Sequence, residues 1–91
     1  MSGGHYDYDC FRIDELANEL RRDIIVGNWK EDADTDKEIE IALREAYAII
    51  KRAGAVSYAV EWFMSGDYGS DTFLKEFNSI MKKDYSLKSL E

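Results

Sequence analysis

A chain of 91 residues, 45% hydrophobic, 13% aromatic and 34% charged, is one domain's worth of folding sequence, too apolar for a disordered tail. Nineteen acids against twelve bases leave a net charge of −7, which argues against a nucleic-acid groove or an anionic membrane as partner. One cysteine excludes an internal disulfide framework and a Cys-rich zinc site. No apolar run reaches the ~18 residues of a membrane span, and the opening Met1-Ser2-Gly3-Gly4-His5 does not read as a secretory leader. A single soluble domain over 1–91, located in the cytoplasm, is expected.

Residues 1–8 form an N-terminal segment. Proline is absent, so nothing forbids helix outright. From 9 to 26, Phe11, Ile13, Leu16, Ala17, Leu20 and Ile24 recur at three- and four-residue steps, which builds one apolar stripe on a helix. Gly27-Asn28 supplies its stop. Residues 28–35 are polar apart from Trp29 and read as a loop. Asp34 or Thr35 then caps the next helix, with Glu38 completing a capping box.

The strongest periodicity runs from 35 to 65. Ile39, Leu43, Ala46, Ile50, Ala53, Val56, Val60 and Phe63 alternate four- and three-residue steps as a near-heptad stripe. Gly54 in its middle marks either a bend or the close approach of another backbone; one continuous helix is the preferred reading. Residues 65–70 form a turn, with Gly66 placed as the glycine past a helix end. A third helix over 71–84, capped by Ser70 or Asp71, carries Phe73, Leu74, Phe77, Ile80 and Met81. Beyond it the chain extends the helix or trails off.

The expected fold is therefore all-α: a three-helix up-down-up bundle with one long central helix, about 35–65. Such a helix is ~45 Å long and overhangs a compact globule of this size. The economical cover for its stripe is a second copy of the chain, so a homodimer is expected.

The catalytic inventory is thin. His5 is the only histidine, so neither a two-histidine metal site nor a histidine pair exists. Cys10 lies near it in sequence, but at the start of an apolar stripe, where free cysteine is usually a small core residue. Asp32, Asp34 and Asp36 begin like a calcium loop, yet Lys37 and Leu43 stand where glycine and glutamate are required. No catalytic residue, metal or cofactor is expected, and the chain reads as a protein without enzymatic activity.

Two surfaces remain as binding candidates. Glu31, Asp32, Asp34, Asp36, Glu38 and Glu40 stand against Lys37 alone over 31–40. The run is either a solvated face or an acidic surface that captures a basic partner, as a DNA mimic does. The second is aromatic. In an up-down bundle Tyr6, Tyr8 and Phe11 meet Trp62, Phe63 and Tyr68, with His5, Gly66 and Asp67 beside them. These groups either cap the open end of the core or line a pocket for a small molecule such as a nucleotide.

The opening Ser2-Gly3-Gly4-His5-Tyr6 with Tyr8, and the later Trp62-Phe63-Met64-Ser65-Gly66-Asp67 with Gly69 and Phe73, resemble motifs of a group of small uncharacterised proteins encoded by bacteriophages and prophages. The resemblance implies a viral origin and marks His5, Tyr6, Tyr8, Trp62, Gly66 and Asp67 as one shared feature. The expected function is that of a small acidic accessory protein binding a host factor stoichiometrically, as an anti-defence or regulatory inhibitor. A nucleotide-binding protein and a structural or assembly component are the alternatives.

Overall fold

The computed structural model describes residues 9–31 and 33–87. Over these the chain forms α1 (Asp9–Val26), α2 (Ala33–Met64) and α3 (Ser70–Lys82), with no strand. α1 packs on α2 and α2 on α3, an all-α bundle built around one long helix, as the periodicity predicts. The fit is antiparallel on both sides. Phe11 reaches Tyr58 across 6.1 Å between ring centres, while Ile24 at the other end of α1 joins Tyr47 in one cluster. On the α3 side Phe73 stacks on Phe63 at 4.7 Å, and the Lys83 carbonyl accepts from Arg52 at 2.8 Å. Among the described residues α1 and α3 do not pack against each other.

α2 runs unbroken through Gly54, so the glycine marks a close approach and not a bend. A Cβ built there would lie 3.5 Å from the Asp14 nitrogen and 3.7 Å from its Cα. The helix end at Gly66 follows from backbone chemistry. Gly66 adopts φ +87°, its N–H donates to the Phe63 carbonyl at 3.1 Å, and the Asp67 N–H donates to Trp62 at 2.9 Å. That pair of bonds is a Schellman motif, which needs the left-handed conformation glycine adopts without strain. Two caps differ from expectation. α2 begins at Ala33, and the Asp36 carboxylate reaches back to accept the Glu31 N–H at 3.1 Å. Gly69 occupies the N-cap of α3, placing Ser70 and Asp71 inside its first turn.

The segment after α3 neither continues the helix nor trails away. Arg52 holds the Lys83 carbonyl and Arg44 donates to the Leu87 carbonyl at 3.0 Å. Leu87 joins the core cluster of Ala17, Ile24 and Tyr47, alongside Leu20, Leu43 and Ile50. The 83–87 strap thus lies along α2, with Tyr85 between the Arg52 and Lys83 cations at 5.5 and 5.4 Å.

That core is small. Among the described residues five hydrophobic ones are buried, three of them the small Cys10, Ala17 and Ala59, against eleven large ones left exposed. The molecule is correspondingly long, 50 × 25 × 20 Å with a radius of gyration of 15.9 Å, where a compact chain of this length has about 12 Å. The long apolar stripe also resolves into separate faces. Leu43, Tyr47, Ile50 and Gly54 turn towards α1, and Phe63 towards α3. Ala42, Ala46, Ile49, Ala53, Val56 and Val60 fall on a third side, within an arc of ~80° at about 100° per residue. Among the described residues that side is only partly covered: Ile49 is 63% exposed, Ala42 and Ala53 are exposed as well, and Ala46, Val56 and Val60 are half-buried.

Candidate functional site

Of the aromatic candidates, His5, Tyr6 and Tyr8 lie outside the described residues. Phe63, expected with them, instead stacks on Phe73 of α3, because its side of α2 faces that helix; Phe11, Trp62 and Tyr68, joined by Tyr58, assemble as an aromatic row across two helices and a turn. Phe11 meets Tyr58 edge-on, Tyr58 lies 5.6 Å from Trp62, and Trp62 stacks on Tyr68 at 6.4 Å. The start of α1 therefore meets the last turns of α2. Burial pushes the Tyr68 phenol above its ordinary range, with the Glu76 carboxylate adding to the effect. Gly66 and Asp67 are exposed, and their backbone serves the helix stop described above.

Of the acidic candidates, Asp32 lies outside the described residues, and Glu31 and Asp34 are exposed. Two of the others are engaged within the chain. Asp36 accepts the Glu31 N–H, and Glu40 pairs with Arg44 at 3.0 Å. Lys30 and Lys37 stand beside Asp36 and Glu40 around a shallow hollow, so the patch is acidic but interrupted by cations.

Sequence reasoning missed a concavity between the two flanking helices. Because α1 and α3 flank α2 without touching, a groove of 360 Å³ opens between them, floored by Gly54 and walled by Phe11, Tyr58, Ile80 and Tyr85. Its polar groups are Glu76 and the Lys51–Asp14 pair, closed at 2.6 Å. Gly54 was the available signal, since bare backbone in a helix marks a place where something comes near. Glu61 was missed too. It is 1% exposed on the α1 side of α2, four residues beyond Ser57, and its charge bears on Cys10.

Cys10 is buried. Burial, then the Glu61 carboxylate, raise its thiol above the usual value, which keeps it protonated at neutral pH and poorly nucleophilic. Among the described residues no three His, Cys, Asp or Glu side chains converge as a metal-ligand set. No helix there is long and apolar enough to cross a membrane.

No family model, curated protein or solved structure matches the chain. Function is therefore argued from the surfaces themselves.

Proposed function

We propose that the chain is a small, non-enzymatic accessory protein of phage type, working in the host cytoplasm as a homodimer by stoichiometric binding to a host protein. The observation that carries this reading is where the large apolar side chains are: among the described residues eleven are exposed, while only Ile24 and Tyr47 are fully buried. A monomer that works alone rarely leaves so much apolar surface in water, and such surface is the usual mark of an interface. The charge of −7, with Glu31 and Asp34 exposed beside the start of α2, favours a basic partner and electrostatic steering towards it.

The test is capture of partners from bacterial lysate at low and at moderate salt. A basic protein retained at low salt and lost at moderate salt is the expected result. Retention of nothing at either salt concentration overturns the reading.

The groove supports a second reading, a small-molecule site. Its 360 Å³ lies in the range of ligand pockets, and its aromatic walls suit a flat ring. A nucleotide that raises the melting temperature would favour it.

A further inference from the structure

The third side of α2 carries a pattern that singles out its occupant. Between Ala42 and Val60 its residues follow steps of four, three, four, three and four, a spacing symmetric about position 51, and Met64, 50% exposed, continues the same arc past that run. Turned end for end, the face therefore falls on itself, and each position meets one of complementary size. Ala42 faces Val60, Ala46 faces Val56, and Ile49 faces Ala53. Small side chains set against large ones at every level let two helices interlock closely. A face that matches its own reverse meets the self-complementarity that a two-fold interface requires, and the pairing of small with large side chains adds to the match.

We propose that two copies of this chain pair through an antiparallel seam between their α2 helices, in which Ala42, Ala46 and Ile49 of one protomer meet the partner's Val60, the partner's Val56 and the partner's Ala53. This rests on the homodimer reading above and specifies its surface, direction and register.

Charge selects the direction. Six acids against one lysine crowd residues 31–40, and parallel pairing would set two such runs side by side. The antiparallel seam places them ~45 Å apart at 1.5 Å per residue, several times the ~8 Å screening length at physiological salt. Area points the same way. The chain exposes 6416 Å², where a compact monomer of this mass exposes about 5,400 Å². The surplus of about 1,000 Å², spread over the elongated chain, is of the order of the ~800 Å² that each partner contributes to a stable interface. α1 borders the seam: Asp9 and Cys10 share a hollow with Val56 and Val60, and Leu16, 53% exposed, continues the apolar surface of that helix. Two α1–α2 pairs joined in this way form a four-helix bundle.

The experiment has two arms. Sedimentation and light scattering of the full chain at micromolar concentration should give twice the mass of 10.5 kDa. Ile49→Asp should raise the dissociation constant by about a hundredfold or more, because it sets two carboxylates in an apolar seam, while helicity by circular dichroism persists. In the second arm, Ala42→Cys and Val60→Cys proteins in a Cys10→Ala background are mixed under mild oxidation. The mixture should form the 42–60 disulfide, and Ala42→Cys alone should not link to itself, its two copies lying ~27 Å apart along the seam. A monomer overturns both the seam and the homodimer, leaving this face to a foreign helix. A dimer that ignores Ile49→Asp, lacks the 42–60 link, or links through Ala42→Cys alone overturns the seam and leaves the homodimer standing.

Discussion

The Lys51 ammonium lies 2.6 Å from the Asp14 carboxylate, tying the middle of α2 to the second turn of α1 one helical turn before Gly54. Lys51 also reaches Asn18 at 3.4 Å. Both charged partners keep contact with water, with 27% and 47% of their side chains exposed, so the pair orients more than it stabilises. A double-mutant cycle on Asp14→Asn and Lys51→Met should give a coupling of about 0.5–1 kcal/mol. Urea denaturation in 1 M salt should shrink it further. A coupling of several kcal/mol would show that the pair is dry in solution.

Gly54 offers a graded test of the α1–α2 contact. The nearest α1 atoms stand at ordinary contact distance from a Cβ at this site, so alanine fits. Gly54→Ala should leave stability unchanged or raise it by up to ~1 kcal/mol through helix propensity. Gly54→Leu should lower it by about 1–3 kcal/mol, because the larger side chain pushes α1 outward. Thermal melts of the two variants separate these effects.

Gly66 answers to a different cause. Its surroundings are open, but its φ of +87° strains any L side chain. Gly66→Ala should cost about 1 kcal/mol, measured by chemical denaturation. Gly69→Ala, at an extended backbone position with open surroundings, should cost only a few tenths of that.

The fold was legible in the sequence because three-and-four spacing and the helix stops at Gly27 and Gly66 are local signals. The division of α2 into separate faces was not legible. Leu43 and Ile50 turn to α1, whereas Ala46 and Ala53 stand on the third side, yet all four belong to the same near-heptad run. A helix apolar on several sides offers no phase that tells one face from the next. That Phe11 lies at the Trp62–Tyr68 end followed from antiparallel order alone, but the ring it meets is Tyr58, which the order did not single out. The groove depended on α1 and α3 staying apart, and Glu61 sat among residues whose burial no pattern of charges announces.

The strap predicts a boundary for truncation. Leu87 packs on the Ala17–Ile24–Tyr47 cluster and its carbonyl holds Arg44. Leu87→Ala should destabilise by about 2 kcal/mol, at the lower end for a partly buried leucine. A chain ending at Lys83 should lose at least as much, seen as a lower denaturation midpoint.

Cys10 and Tyr68 set the alkaline limb of stability. Both groups hold their protons more tightly in the folded chain than in the unfolded one. Their stabilisation is therefore complete below the unfolded values and declines as pH rises past about 9, first through Cys10 and then through Tyr68. Melting temperature should fall from pH 8.5 to pH 10.5, and Cys10→Ala should remove the earlier part of the fall. Consistent with its burial, Cys10 should react with a thiol reagent at pH 8 far more slowly in the folded chain than in urea.

The separation of α1 from α3 also governs how the chain comes to be folded. Among the described residues each flanking helix packs on α2 and not on the other, across a short connection in sequence, so the helix pairings are local and the search for them is fast. The α1–α2 pair can close on a growing polypeptide before residues 70–87 have been synthesised. α3 and the strap then arrive at a surface already made.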